Sequence, residues 1–241
     1  KGLAAMSFSP CKIKTVVDDV NVEISVETDY PFCDQVQIIV KTDRSSQFPL
    51  SLRIPTWAKG STIFIDEVQL DSPEPGTFYK IDHQWSENTV IILTLPMTAQ
   101  LMTGYRNAMA IERGPLVYSL PIAEKWKRVN EGKQGRELPH ADWEIYPEQE
   151  WNYGLKIIPD KLQDSIRFEE FPIGDFPFSP EEAPIKAKVM GKKIPRWKLI
   201  NGSADEVPMS PVESIAPLEE LTLIPYGCTN LRITEFPILK E

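Results

Sequence analysis

The sequence contains few of the residues that usually carry catalytic or metal chemistry. Its 241 residues include two histidines, three cysteines and twelve glycines. Three scattered cysteines do not form a disulfide framework, and their odd number leaves at least one thiol unpaired. Glycines spread this thinly do not build a phosphate-binding loop. The composition therefore excludes a disulfide scaffold and a glycine-rich nucleotide site, and it does not reveal the cellular compartment.

Positive charge is also scarce. The chain has 26 lysines and arginines against 35 acidic residues, which gives a formal net charge of −9. A nucleic-acid-binding protein needs a cationic surface to release counterions from phosphates. The one lysine-dense stretch, residues 186–198, is short and interrupted by Pro195. Such a stretch is more typical of solvated strands, so we predict no nucleic-acid partner.

No hydrophobic run is long enough to cross a membrane as a helix. Only residues 90–95 (VIILTL) form a largely apolar run, and this is the length of a strand. The chain begins at Lys1 without a signal peptide, which is typical of a processed or excised piece of a longer protein. A periplasmic or extracellular location would require a signal peptide outside this chain. We predict no membrane partner.

Proline is abundant and restricts the fold. Twenty-two prolines are spread along the chain, and proline inside a helix removes a hydrogen bond and clashes with the preceding turn. Long helices are therefore excluded, and with them helical bundles, coiled coils and doubly wound α/β folds.

Apolar residues alternate with polar ones at a period of two. The pattern is clear in residues 22–26, 36–40 and 50–54. Such alternation is typical of strands with one packed and one solvated face. Further strands are expected at residues 61–65, 77–81, 89–95, 108–112, 116–120, 155–158, 185–190, 219–224 and 231–236. Many short strands without helices between them predict a sandwich or jelly roll.

The strands divide into two sets. We predict an all-β protein of two consecutive β-sandwich (jelly-roll-like) domains with little helix, residues 1–104 and residues 105–241, because the first set suffices to close a core near residues 102–106. The second domain would contain a long, irregular, aromatic-rich passage at residues 123–153. Residues 168–184, with four prolines, would form an extended connector.

No arrangement of residues indicates catalysis. His83 and His140 lack a nucleophile-elbow motif nearby, so both are interpreted as turn or surface residues. Zinc sites usually take two ligands from one tight turn, and no two cysteines lie that close. Acids at alternate positions, such as Glu23 and Glu27, fit a solvated strand face better than a hydrolytic pair. We predict no catalytic residue, no metal ligand and no cofactor in this chain.

The most distinctive local feature is residues 143–153 (WEIYPEQEWNY). Its aromatic residues are Trp143, Tyr146, Trp151 and Tyr153. An exposed ring beside hydrogen-bonding groups suits the apolar face of a sugar. The alternative is that these rings pin a long crossover onto the sandwich, and we favour this structural role while keeping all four as candidate carbohydrate contacts.

Six short motifs, spanning essentially the whole chain in order, resemble the C-terminal β-sandwich region of β-L-arabinofuranosidase-like glycoside hydrolases of family 127. They are residues 52–58 (LRIPTWA), 79–85 (YKIDHQW), 93–97 (LTLPM), 111–118 (IERGPLVY), 151–155 (WNYGL) and 223–227 (LIPYG). Each motif alone is weakly specific, but their common order makes the resemblance fairly specific.

This resemblance implies that catalysis and structural support belong to different domains of one polypeptide. Enzymes of that family have an N-terminal (α/α)6 helical barrel with a zinc site of three cysteines and one glutamate, one cysteine serving as nucleophile, followed by two β-sandwich domains. No position of this sequence matches those ligands, so Cys11, Cys33 and Cys228 receive no catalytic role.

The resemblance implies that this chain is a non-catalytic ancillary region and not an enzyme by itself. Its partner would be the N-terminal (α/α)6 domain of the same polypeptide, which would dock on an apolar patch of the first sandwich. By the same resemblance, the parent would release a sugar, L-arabinofuranose, from plant-derived glycan. Two alternatives stay open, a free-standing carbohydrate-binding module and an immunoglobulin-like structural or adhesion module.

Overall fold

The computed structural model describes residues 1–240 and divides the chain into two compact units. The first unit is Lys1–Thr98, and the second begins at Ala99. Strands account for 49% of the chain and helices for 5%, so the predicted all-β class with little helix is confirmed. Within the described residues, none of the helices has the length and apolarity needed to cross a membrane.

The first unit consists of two sheets. Its strands are β1 (Leu3–Ala5), β2 (Cys11–Val17), β3 (Val20–Glu27), β4 (Gln35–Thr42), β5 (Ser46–Arg53), β6 (Thr62–Ile65), β7 (Val68–Gln69), β8 (Phe78–Trp85) and β9 (Thr89–Thr94). One sheet has the order β2-β3-β4-β9-β6-β7, and the other has the order β1-β5-β8. All pairs are antiparallel except β1 with β5.

The core of the first unit lies between these sheets. Val22 and Ile38 point inward from the larger sheet, Leu50 and Trp85 point inward from the smaller one, and all four belong to one buried cluster. Two apolar faces pressed together in this way define a β-sandwich. The alternation predicted for β3, β4 and β5 is thereby confirmed.

The second unit is organised around one large sheet. Its strands are β10 (Ala99–Thr103), β11 (Met109–Arg113), β12 (Leu116–Pro121), β13 (Glu124–Val129), β14 (Asp142–Pro147), β15 (Tyr153–Leu155), β16 (Ile166–Glu170), β17 (Ile185–Lys193), β18 (Leu199–Ile200), β19 (Ser203–Ala204), β20 (Leu218–Pro225) and β21 (Arg232–Ile233). The main order is β10-β11-β12-β20-β17-β15, with β16 beside β17 and β21 beside β12. β10 precedes the boundary expected at residue 104, yet it pairs with β11.

Helical structure in the described chain is short. The α-helix α1 (Leu162–Ser165) has four residues, and 3-10 turns occupy Tyr105–Asn107, Pro159–Lys161 and Tyr226–Cys228. Close backbone packing occurs between β15 and β17, where a Cβ on Gly191 would lie 3.0 Å from the carbonyl oxygen of Gly154 and 2.6 Å from Leu221 Cδ1. Glycine is therefore needed at position 191.

The expectation of an irregular passage at residues 123–153 is wrong for the two stretches that form β13 and β14. β13 and β14 form a regular antiparallel hairpin there, with six residue pairs from Glu124 opposite Pro147 to Val129 opposite Asp142. No residue from Ala123 to Glu150 is buried. A hairpin that contributes nothing to a core lacks the one-sided apolar alternation by which strands are recognised.

Candidate functional site

The thiols and histidines differ in their exposure and surroundings. Cys11 is exposed, Cys33 is half-buried and Cys228 is buried, and all three are free. His83 lies in β8 with its ring 5.0 Å from that of Trp85. His140 is exposed in the loop between β13 and β14. Among residues 1–240 no group of three histidine, cysteine or acidic side chains is placed to hold a metal ion.

Cys228 should be chemically inert in the folded chain. Its Sγ donates a hydrogen bond to Pro177 O at 3.5 Å, and burial raises its pKa to about 11. Because the thiolate is the reactive form, a thiol reagent at pH 8 should modify exposed Cys11 first and reach Cys228 only after unfolding in urea. Mass spectrometry of the labelled peptides measures both rates. Equal labelling of the two thiols in the native chain would contradict this assignment.

The four candidate sugar-contacting aromatic residues do not form one surface. Trp143 and Tyr146 lie in β14 and are 45% and 44% exposed. Trp151 and Tyr153 are each 8% exposed, and the Trp151 ring packs edge-on against Trp197 at 5.1 Å between centroids. The protein itself covers these two rings, so only those of β14 are accessible to a ligand.

A fifth aromatic residue, which the sequence analysis did not single out, completes the exposed site. Trp126 in β13 is 49% exposed, and its ring meets that of Trp143 edge to face, with centroids 6.0 Å apart and planes at 74°. We call these two residues the Trp126–Trp143 ledge. Tyr146 points to the opposite face of the hairpin, because Tyr146 pairs with Lys125 whereas Trp143 pairs with Arg128. In the sequence, the only signal for this pair is that Trp126 and Trp143 each lie between charged residues.

Glu124 fixes one end of the hairpin to the rest of the second unit. Its carboxylate accepts hydrogen bonds from Leu231 N at 2.7 Å, Asn230 Nδ2 at 3.2 Å and Trp126 Nε1 at 3.0 Å. Burial raises the pKa of this carboxyl group, but the hydrogen bonds outweigh burial and hold it below the ordinary value. The carboxylate therefore orients one indole of the ledge.

The other end of the hairpin is fixed by its own loop. Asp142 accepts a hydrogen bond from Asn130 Nδ2 at 2.9 Å and forms an ion pair with Arg136 at 3.1 Å. Arg128, directly opposite Trp143, donates to the carbonyl oxygen of Arg136 at 3.1 Å. Isolated two-stranded hairpins are marginally stable in water, so these polar contacts maintain the exposed arrangement.

The first unit has an apolar patch on the outer face of its larger sheet. β9 carries inward-facing Ile91 and Leu93, which are fully buried. Its alternate residues, Val90 and Ile92, face outward and are half-buried. They lie opposite half-buried Ile39 of β4 and Phe64 of β6, respectively. We call Ile39, Phe64, Val90 and Ile92 the outer patch, and a depression of about 670 Å³ is lined by part of it together with Asp66 and Glu67.

More strongly exposed apolar side chains concentrate in the second unit. Of the 22 large hydrophobic residues classed as exposed among the described residues, 17 belong to that unit. The most compact group follows β16, where Phe171, Ile173, Phe176 and Phe178 are 40–70% exposed. Docking on an apolar patch of the first sandwich stays a prediction, and most of the strongly exposed apolar side chains lie outside that sandwich.

The family comparison concerns the first unit. Residues 2–97 match the model of the β-L-arabinofuranosidase GH127 middle domain. The first unit resembles that middle domain. The match covers the sandwich that carries the outer patch and ends just before the second unit begins. Because a middle domain is named, the placement of the chain at the C-terminal end of such an enzyme stays a proposal. A search among curated proteins found no match.

Solved structures resemble the chain over both units. A GH127 β-L-arabinofuranosidase from Geobacillus stearothermophilus T6 aligns with a TM-score of 0.63 and 20% identity, over 98% of this chain and 33% of that one. A glycoside hydrolase aligns with a TM-score of 0.63 and 17% identity, over 98% and 36% of the two chains. A GH127 β-arabinofuranosidase gives 0.56 and 14%, over 98% and 34%. The likeness shows the fold, and this chain spans about a third of the length of each.

Proposed function

We propose that this chain is a non-catalytic ancillary region of a glycoside hydrolase. The parent would be β-L-arabinofuranosidase-like, would act on plant-derived glycan, and would carry its zinc site and catalytic residues in an N-terminal helical barrel outside these residues. The observation that carries the proposal is the match of residues 2–97 to a GH127 middle domain. It is supported by residues 1–240, in which no group of three histidine, cysteine or acidic side chains is placed to hold a metal ion.

The outer patch supports a docking role for the first unit. An apolar run that fills both faces of a strand is typical of strands buried on both sides. Residues 90–93 of β9 (VIIL) are such a run, yet the outward-facing Val90 and Ile92 are only half-buried. The occupant that we propose is the helical catalytic domain of the same polypeptide, because structural relatives carry about twice this chain's length in addition to the matching part.

An activity assay tests the non-catalytic part of the proposal. The 241-residue chain should release no phenol from an aryl L-arabinofuranoside, whereas the full-length parent should do so. Turnover by the isolated chain that disappears when Cys11, Cys33 and Cys228 are replaced by alanine would contradict the proposal.

A charge placed in the outer patch tests docking. Ile92→Lys should lower the melting temperature of the parent's cooperative unfolding by several degrees, since burying an unpaired charge costs a few kcal/mol. In the isolated chain the same ammonium group faces water, so the melting temperature should change little. Val16→Lys, at an exposed position on the edge strand β2 of the same sheet, is the control and should be neutral in both. Equal destabilisation of parent and isolated chain by Ile92→Lys would remove the outer patch from the proposal.

A further inference from the structure

The Trp126–Trp143 ledge is not explained by folding of the second unit. Large aromatic rings normally contribute through burial of about 150–250 Å² each, yet both indoles are close to half exposed. No residue of the hairpin or its loop, from Ala123 to Glu150, is buried. The hairpin is nevertheless anchored at both ends by specific polar contacts. These contacts hold two exposed rings in a fixed mutual orientation.

We propose that the Trp126–Trp143 ledge binds a neutral oligosaccharide. Planes at 74° with centroids 6.0 Å apart form a corner in which a pyranose or furanose ring can lay its C–H face against one indole and its edge against the other. Glu124 and Arg128 lie on the same face of the hairpin as Trp126, because each is two residues from it along β13. A carboxylate and a guanidinium beside the rings match hydroxyl groups, which both donate and accept hydrogen bonds.

The size and charge of the ledge favour a sugar over a protein partner. Two half-exposed indoles offer on the order of 200 Å² of apolar surface, whereas a stable protein interface buries about 800 Å² on each partner. The face of the hairpin that carries the rings also carries charges of both signs, those of Glu124 and Arg128. Such charges are depleted in the cores of protein interfaces. The ligand recognised by this chemistry is small and uncharged, with one apolar face.

This inference rests on the proposed function, because the glycan of a parent hydrolase is the source of such a ligand. The ledge would hold a neighbouring part of the glycan and would take no part in bond cleavage. It is therefore testable by binding alone, independently of the activity and docking experiments. A chain that binds sugar but also hydrolyses the aryl L-arabinofuranoside by itself would keep the ledge and lose the proposed function.

Titration of the isolated chain with short arabino-oligosaccharides and, in parallel, xylo-oligosaccharides tests the ledge. In ¹H–¹⁵N spectra, the indole signals of Trp126 and Trp143 should shift, whereas those of buried Trp85 and Trp197 should not. We expect a dissociation constant on the order of 1 mM, as for a site with few contacts. Trp126→Ala and Trp143→Ala should each weaken binding about tenfold or more.

Tyr146→Ala is the matched control for these variants. Tyr146 lies in the same strand and is about as exposed as Trp143, but it faces the other side of the hairpin, so its loss should leave binding unchanged. If Trp126→Ala unfolds the hairpin, its backbone amide signals will lose their dispersion. In that case the indole shifts of the unsubstituted chain decide whether the ledge binds the oligosaccharide.

Three results would overturn the proposal. The first is the absence of indole shifts with either class of oligosaccharide at concentrations well above 1 mM. The second is equal weakening by all three alanine variants. The third is a shift of the ledge indoles with protein concentration alone, which would mean that a second copy of the chain covers the rings.

Discussion

Replacing Trp85 by alanine should cost the first unit about 3–5 kcal/mol of unfolding free energy, as expected for a large buried aromatic residue. The side chain is 0% exposed and lies among the residues that join the two sheets. Its ring packs 5.6 Å from that of Phe48 and 5.0 Å from that of His83. The cavity that loss of the indole leaves in the centre of the sandwich closes poorly, because both sheets are held by their own hydrogen-bond ladders.

The same substitution also removes a buried hydrogen bond. Trp85 Nε1 donates to the carbonyl oxygen of Phe48 at 2.7 Å, and an orphaned buried acceptor costs about 1–3 kcal/mol. Amide hydrogen exchange of β4 and β9 in the intact chain measures the effect on the first unit alone. Trp126→Ala is the control, and this half-exposed residue of the second unit should leave that exchange unchanged. A loss below about 1 kcal/mol for Trp85→Ala would show that Trp85 is not central to the core.

The sequence was sufficient to predict the sandwich of the first unit, because there one face of each strand is buried. Val36, Ile38 and Val40 are each at most 2% exposed. The polar residues between or beside them lie on the opposite face, namely Gln35, Gln37 and Lys41. A one-residue slip would bury those polar residues, so the alternation determines both the strand and its register. The prolines then limit helix to short segments, in agreement with the 5% observed.

The candidate site could not be predicted in the same way. It depends on a contact between two residues that are distant in the sequence, and the strands that carry them have no buried face. Trp126 and Trp143 meet only because the loop at residues 130–141 folds back and pairs β13 with β14. Trp151 and Tyr153 looked equivalent to Trp143 in the sequence. They are buried because β15 adds to the edge of the large sheet beside β17, where other side chains cover them. Ring exposure is decided by tertiary packing, which local composition does not encode.

Replacing Asn152 by leucine should destabilise the second unit by about 2–4 kcal/mol, because it leaves two buried acceptors without donors. The residue is 7% exposed. Its Nδ2 donates to the carbonyl oxygens of Ile194 at 3.0 Å and of Trp197 at 2.8 Å, so one amide group holds the segment that follows β17 against the segment that precedes β15. Leucine has similar volume, and the change therefore tests the hydrogen bonds more than the packing.

Urea unfolding followed by tryptophan fluorescence measures this loss, because Trp151 and Trp197 pack against each other beside Asn152. Gln149→Leu is the matched control. Gln149 Nε2 also donates to a carbonyl oxygen, that of Pro121 at 2.7 Å, but the bond is exposed, so water can replace it and the loss should stay below about 1 kcal/mol. If the two variants are destabilised equally, burial does not set the strength of the Asn152 contacts, and the segment from Ile194 to Trp197 is held in place by the packing of its apolar side chains.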